Sequence, residues 1–378
     1  MWSLRRFAYI DFRVVLIVAA LQALGVVTIA SYSHSLLTES DPTSFFLPAV
    51  KSQMEWIFLG WGLFFFFALF DYAKLREWAW IIYALSVIAL LGLFFTDPIV
   101  RVQRWYRIPF LGVGFQPSEY TKLAMIVALS WFLERRAHLV GSLSTLFSAG
   151  LIVGIPFFLI LKQPDLGTAT VLYPMTLVIL FFGGISKSVI KSLCLPGAVV
   201  VATVGLLFSG AISYESLKPH LEGVLKEYQC ERLNPETHHQ KAAQTSLALG
   251  GVFGAGWRQG EYWRGGSLPA PYTDSIFSAF GEEFGLFGVS CVLSLFYFLI
   301  FCCFQTSASA KDPFGRLISA GVAVYIAVHV LINVGMVAGC FPITGVPLPL
   351  MSYGGSSMVT TMMALGITES VYSRRFMF

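Results

Sequence analysis

The sequence predicts an all-α polytopic membrane protein. Of its 378 residues, 56% are hydrophobic and only 12% are charged, and the mean hydropathy is +0.72. A soluble chain has about 25% charged residues, so half of the expected charge is missing. Apolar stretches of about 20 residues, the length of a helix that crosses a bilayer, recur along the chain. This composition excludes a soluble enzyme, a disordered chain and a nucleic-acid-binding protein.

Ten apolar stretches predict membrane-spanning helices, because backbone polar groups inside a bilayer must be paired within the chain. Their approximate limits are 12–31, 54–70, 77–96, 116–133, 143–161, 166–184, 190–209, 275–303, 314–339 and 350–371. The first stretch follows Arg5, Arg6 and Arg13 and is longer than the apolar core of a signal peptide. We therefore expect it to be a retained anchor.

The distribution of Lys and Arg predicts that both termini lie in the cytoplasm. With the N-terminus inside, 13 of these residues flank the spans on the inner side and five lie in short outer loops. Residues about 210–273 are predicted to form one long outer loop. This loop is the only sizeable hydrophilic stretch and is not expected to be a separate domain, so residues 1–378 are predicted to be a single integral membrane domain. Apolar residues at helical spacing in this loop predict a short amphipathic helix on the outer leaflet: Leu217, Leu221, Val224 and Leu225.

The six cysteines show no metal-ligand spacing and predict no disulfide framework. Cys302 and Cys303 are adjacent within an apolar run, which is typical of buried free thiols.

Charged residues inside spans are costly, and therefore often mark function. Glu119 and Lys122 lie three residues apart near the outer end of the fourth stretch, on one face of a helix. One interpretation is an ion pair that only neutralises the helix for insertion. The other is a polar cavity in which Lys122 is available to an anion.

Arginines are concentrated in the short outer loop before the fourth stretch, against the positive-inside trend. Arg101, Arg104 and Arg107 surround Trp105 in this loop. Arginine binds phosphate with two parallel hydrogen bonds, so a diphosphate headgroup is a reasonable ligand. An interfacial aromatic belt is an equally good explanation for Trp105.

Three carboxylates are expected near the outer face. Asp274 precedes the eighth stretch, where it is expected to cap the helix, and a capping carboxylate can also accept a proton; Glu282 lies two turns further on. Asp165 lies between the fifth and sixth stretches, where a turn with a helix cap is the alternative to a ligand contact. Ser352 lies in a Gly- and Pro-rich stretch, where it either binds a sugar or phosphate or packs as a small residue.

These motifs together resemble the SEDS family (shape, elongation, division and sporulation proteins), most closely its RodA-like branch, over nearly the whole chain. The matching pieces, in chain order, are Arg104-Trp105, Gln116-Pro117-Ser118-Glu119 with Lys122, Gln163-Pro164-Asp165-Leu166-Gly167-Thr168, Tyr228-Gln229 with Arg232 and Pro235, Gly250-Gly251 through Gly256, Leu268-Pro269 with Thr273-Asp274, Gly281-Glu282-Glu283-Phe284-Gly285, and Asn333 through Ser356. Ser275 departs from the family, which usually has an aromatic residue after the Asp that matches Asp274.

The resemblance implies a peptidoglycan glycosyltransferase of the bacterial cytoplasmic membrane, acting in elongation and cell shape. Such enzymes polymerise lipid II, the lipid-linked disaccharide-pentapeptide precursor, beside a class B penicillin-binding protein that crosslinks the strand. In the family, the Asp matching Asp274 is assigned as catalytic. The positions matching Arg104, Trp105, Glu119 and Lys122 are also functionally important.

Inversion of an α-linked diphosphate in one displacement requires a base for the acceptor hydroxyl and cations for the leaving group. We assign Asp274 as the base, and Arg104 and Lys122 as the cations, with Arg232 or a bound divalent ion as further candidates. Asp165, Glu282 and Ser352 complete the predicted substrate contacts, and the lipid tail is expected to stay in the bilayer. No other cofactor is expected. The alternatives are a lipid II flippase and a non-catalytic scaffold for a penicillin-binding protein.

Overall fold

The architecture is almost entirely helical in the computed structural model, which describes residues 9–35, 48–96, 103–108, 113–222 and 227–375. The helices in these ranges are α1 (Phe12–Ser35), α2 (Pro48–Leu69), α3 (Leu75–Gly92), α4 (Pro117–Arg135), α5 (Leu143–Lys162), α6 (Leu166–Phe182), α7 (Lys187–Phe208), α8 (Tyr214–Glu222), α9 (Glu227–Arg232), α10 (His238–Leu249), α11 (Glu261–Arg264), α12 (Ile276–Ser309), α13 (Pro313–Val337) and α14 (Gly355–Ser373). Two short strands, β1 (Tyr106–Ile108) and β2 (Val113–Phe115), pair in antiparallel fashion before α4.

Each of the ten predicted stretches is helical, as α1 to α7 and α12 to α14. In the described part of the chain, seven of these helices are long and apolar enough to cross a membrane. The chain is therefore an integral membrane protein. Membrane crossing by α4, α6 and α14 remains a prediction, because α6 has only 17 residues and the other two are less apolar.

The most buried of the seven apolar helices is α13, which packs against α4, α6, α12 and α14. In contrast, α7 packs mainly against α6 and presents its apolar side chains outward. The position of α13 matters for the site, because His329 and Asn333 on this helix reach it from the centre of the bundle.

The residues that begin α4 and α6 determine where several polar residues of the site lie. Pro117 occupies the first turn of α4, where its missing N–H costs nothing, and this start puts Glu119 in the first turn and Lys122 one turn later. Asp165 is the N-cap of α6 and accepts a hydrogen bond from Thr168 N (3.3 Å), as its capping alternative predicted.

The long loop predicted at about 210–273 contains four short helices, α8 to α11, among its described residues. The predicted amphipathic helix corresponds to α8, which includes Leu217 and Leu221. Val224 and Leu225 lie outside the described residues. The position of α8 on the outer leaflet remains a prediction.

The long loop is hydrogen-bonded to α12 at a point where the backbone of this helix is interrupted. Gly285 has a φ of 62° and a ψ of −167°, which interrupts the helical backbone. Four backbone hydrogen bonds connect segment 251–256 to the break: Ala255 N to Glu282 O, Gly256 N to Glu283 O, Leu286 N to Gly251 O and Phe287 N to Val252 O. A Cβ atom at Gly285 would lie 2.3 Å from Gly254 N, so only glycine permits this approach.

Candidate functional site

The candidate site consists of two adjoining pockets. The inner pocket has a volume of about 100 Å³, and its charged or titratable lining residues are Arg104, Glu119, Lys122, Asp165 and His329. The outer pocket has a volume of about 620 Å³ and is lined in part by Asp274. Both pockets are lined by Trp105, Gln116, Glu119, Gly345 and Pro347. The predicted base therefore lines a pocket that adjoins the pocket lined by the predicted cations Arg104 and Lys122, and the two pockets together are called the hollow.

Three helix N-termini contribute to the lining of these pockets. Glu119 lies in the first turn of α4, Asp165 caps α6, and Gly354 and Gly355 begin α14. The N-terminus of a helix carries a partial positive charge and unpaired N–H groups. These N-termini add positive potential to a hollow whose lining side chains include two cations, Arg104 and Lys122, and four carboxylates, Glu55, Glu119, Asp165 and Asp274. The inner pocket, which holds both cations, is the part of the hollow that suits an anion.

Lys122 is held by two partners on different helices. Its Nζ donates to Glu119 Oε1 (2.7 Å) and lies 2.8 Å from His329 Nε2 on α13. Lys122 is 1% exposed and His329 is fully buried. The predicted same-face pair of Glu119 and Lys122 is therefore present. Glu119 Oε2 has no hydrogen-bond partner among the described residues, so it can accept from a ligand.

Arg104 is held by the turn between α5 and α6. Its Nε donates to Gln163 O (3.2 Å), its Nη2 donates to Pro164 O, and its guanidinium lies 3.9 Å from Asp165 Oδ1. Besides the backbone N–H of Thr168, Asp165 accepts from three side-chain donors: Gln116 Nε2 (3.2 Å), Ser118 Oγ (3.2 Å) and Thr168 Oγ1 (2.9 Å). These contacts favour Asp165 as the residue that orients Arg104.

Asp274 is half-buried beside the loop that precedes α14. Its backbone oxygen accepts from Asn333 Nδ2 (2.9 Å), and the same amide group donates to Val346 O (2.8 Å). A Cβ atom at Gly345 would lie 3.3 Å from Asp274 Oδ2, so a glycine here leaves space around the carboxylate. Asn333 thus joins the segment of Asp274 to the wall shared by the two pockets.

The prediction that Asp274 caps the eighth span is wrong. Ser275 is the N-cap of α12, and it makes no side-chain capping bond. The chain turns sharply before the helix, because Thr273 N and Ser275 N both donate to Ala270 O. The Asp274 carboxylate is therefore directed to the outer pocket.

Burial raises the pKa of Asp274 above the usual carboxyl range. The positive charges of Arg232 and Arg104 oppose this rise, and the negative charge of Asp165 adds to it. Arg232, at the end of α9, donates to Thr344 O (3.3 Å), next to Gly345. A raised pKa makes the Asp274 carboxylate a better proton acceptor.

The other predicted site residues have different positions. Trp105 lines both pockets. Ser352 lies behind Asp274, where its Oγ donates to Thr273 O (2.7 Å) and accepts from Leu348 N (2.8 Å). Glu282 lines neither pocket, because Ser246 Oγ (2.7 Å) and Tyr262 N (2.9 Å) bond its carboxylate to the long loop.

The predicted arginine cluster is only partly present. Arg107 lies in β1 and is exposed, whereas Arg104 faces the inner pocket; Arg101 lies outside the described residues. The pairing of β1 with β2 in this short loop was not predicted from the sequence. Successive side chains of a strand point to opposite faces, so Arg107 and its neighbours in β1 do not all point the same way.

Sequence reasoning missed His329 and assigned no role to Asn333. Both are polar residues in an otherwise apolar span, and this is the signal that could have identified them. No group of three or more His, Cys, Asp or Glu side chains with metal-binding geometry occurs in the described ranges. Cys302 and Cys303 are free and buried, as predicted.

Residues 12–375 match the profile of a family of cell cycle proteins, FtsW/RodA/SpoVE. A probable peptidoglycan glycosyltransferase FtsW from Geobacter sulfurreducens is 30% identical over 371 residues, which cover 96% of this chain and 95% of the relative. The peptidoglycan glycosyltransferase MrdB of Escherichia coli K12 is 32% identical over 311 residues, 79% of each chain.

A solved chain from a study of "polymerization and crosslinking by a peptidoglycan synthase complex" superposes with a TM-score of 0.77. It is 27% identical, and the match covers 98% of this chain and 99% of that chain. The helix order, the converging site and the match over nearly the full length agree, and we conclude that this chain belongs to the FtsW/RodA/SpoVE family of cell cycle proteins.

Proposed function

We propose that this protein is a peptidoglycan glycosyltransferase that polymerises lipid II at the outer face of the bacterial cytoplasmic membrane, for elongation and cell shape. The observation that carries this proposal is that the pocket lined by Asp274 adjoins the pocket lined by Arg104 and Lys122. A single displacement at an anomeric carbon requires a base for the acceptor and cations for the leaving group within one site.

In the proposed step, an acceptor hydroxyl oxygen attacks the anomeric carbon of the donor sugar. Asp274 takes the hydroxyl proton, the new glycosidic bond forms with inversion, and the bond to the lipid diphosphate breaks. Arg104 and Lys122 stabilise the negative charge that the departing diphosphate acquires. Glu119 Oε2 accepts from a donor group of the substrate, since the carboxylate has one oxygen available.

The lipid tail is proposed to stay in the bilayer beside α2. This helix contributes Glu55, Trp56 and Leu59 to the outer pocket, and Phe58 and Leu59 are exposed. The headgroup can therefore enter the hollow while the tail remains among apolar side chains. A divalent ion is a further candidate for stabilising the leaving group. Comparing polymerisation with and without a chelator tests this: a requirement for the ion predicts slower polymerisation with the chelator.

A gel assay of purified protein with lipid II tests the proposal. We expect glycan ladders with the unaltered chain, alone or with its partner, and a loss of at least about 100-fold with Asp274→Asn, which keeps the size but removes the base. Glu236→Gln, an exposed carboxylate in the same long loop, is the matched control. Ladders of normal intensity from Asp274→Asn would remove Asp274 from its role.

The assay also separates the alternatives. A flippase would move precursor across sealed vesicles without forming ladders, and a scaffold would do neither. The convergence of carboxylates and cations on one hollow favours chemistry. A class B penicillin-binding protein is the proposed partner, because the structural relative comes from a synthase complex. Reporter fusions test the proposed cytoplasmic location of both termini.

A further inference from the structure

Lys122 requires a fixed position if it is to stabilise a leaving group. It extends from α4 and is buried between Glu119, one turn earlier, and α13. Glu119 lies on the same helix, so this ion pair alone leaves the ammonium group free to move with its own side chain. The contact with His329 comes from a second helix and restrains the ammonium group from another direction.

The hydrogen bonds of His329 determine which ring nitrogen can accept. Its Nδ1 lies 2.7 Å from the backbone oxygen of Tyr325, one turn earlier on α13. A carbonyl oxygen can only accept, so Nδ1 holds the proton in the neutral ring. Nε2 then presents a lone pair to the Lys122 ammonium at 2.8 Å. The backbone of α13 thus orients the imidazole as an acceptor for Lys122.

We propose that His329 is a positioning residue that holds the Lys122 ammonium at the inner pocket for the departing diphosphate. This inference rests on the proposed function. Glu119 and His329 occupy two of the three N–H donors of Lys122, and the Tyr325 ring lies 5.3 Å from the ammonium group. Lys122, Glu119 and His329 all line the inner pocket, so in this proposal the third donor serves the departing diphosphate there. Neutral His329 adds no further negative charge to the ion pair of Lys122 with Glu119, whereas a second carboxylate would make this cluster net negative.

Kinetics of three variants test this role. His329→Leu removes the acceptor, and His329→Gln replaces it with an amide oxygen. Ser319→Ala is the matched control, because Ser319 is a buried polar residue on the same helix as His329 and its hydroxyl has no hydrogen-bond partner among the described residues. We expect His329→Leu to lower kcat for lipid II polymerisation by about 10- to 100-fold with little change in KM. His329→Gln should recover most of this loss, and Ser319→Ala should polymerise normally.

Thermal unfolding tests the contact without relying on activity. His329→Leu and Lys122→Met should lower the unfolding temperature non-additively, because each removes the same interaction. The inference is overturned if the two effects add, if His329→Leu polymerises as fast as Ser319→Ala, or if His329→Gln loses as much kcat as His329→Leu. If the unaltered chain forms no glycan but the two substitutions still affect the unfolding temperature non-additively, the proposed function is wrong, although the contact between His329 and Lys122 is supported.

Discussion

The ion pair between Glu119 and Lys122 offers a sharp test, because it has both a structural and a catalytic interpretation. Lys122 Nζ lies 2.7 Å from Glu119 Oε1, and the side chains are 1% and 4% exposed. Removing one partner from such a buried pair costs about 3–5 kcal/mol of stability, because a charge is left without compensation. Lys122→Met should therefore unfold at a clearly lower temperature. The double variant Glu119→Gln, Lys122→Met removes both charges and should recover most of this stability.

Catalysis should respond differently from stability. Loss of one preorganised group that stabilises developing charge lowers kcat by about 100- to 1,000-fold. The double variant should therefore remain a poor polymerase although it is stable. Glu119→Gln alone, in which an amide oxygen can still accept from Lys122, should retain more activity than the double variant. The measurements are thermal unfolding in detergent and ladder formation from lipid II. A double variant that polymerises at the rate of Glu119→Gln would refute the catalytic interpretation and leave Lys122 as a charge partner for insertion.

Three further predictions concern the surroundings of the pair. Arg232→Gln removes a positive charge that lowers the pKa of Asp274, so polymerisation should fall off at a higher pH on acidification, and an unchanged pH profile of kcat/KM would contradict this. Asn333→Leu releases the backbones of Asp274 and Val346 and should lower kcat about tenfold or more, which steady-state kinetics measure against unaltered protein. Glu282→Ala leaves donors of the long loop unpaired and should lower the free energy of unfolding by about 1–3 kcal/mol; an unchanged unfolding temperature would argue against that anchoring role.

Features that depend on local sequence could be predicted. The ten helices follow from runs of apolar residues, because each run is long enough to bury its own backbone hydrogen bonds. The pairing of Glu119 with Lys122 follows from their spacing on one helix, and the capping by Asp165 follows from its position before α6. In each case the partners lie within one helical turn.

Features that depend on distant residues could not be predicted. Glu282 faces the long loop because the break at Gly285 and the segment 251–256 bond to one another, and no local pattern reveals this. The contact of His329 with Lys122 joins residues 207 positions apart. Asp274 was wrongly expected to cap a helix, because the turn back to Ala270 depends on a positive φ of 47° at that alanine.

The interruption of α12 at Gly285 has a practical consequence for hybrids between relatives. Transplanting the long loop without α12 would combine the two sides of four backbone hydrogen bonds from different proteins, and the N–H and C=O groups at the break in α12 could lose their partners. A functional chimera should therefore exchange residues of about 250–287 as one cassette. Since α12 starts two residues after Asp274, a poorly seated cassette would displace the carboxylate even if every side chain of the hollow were native.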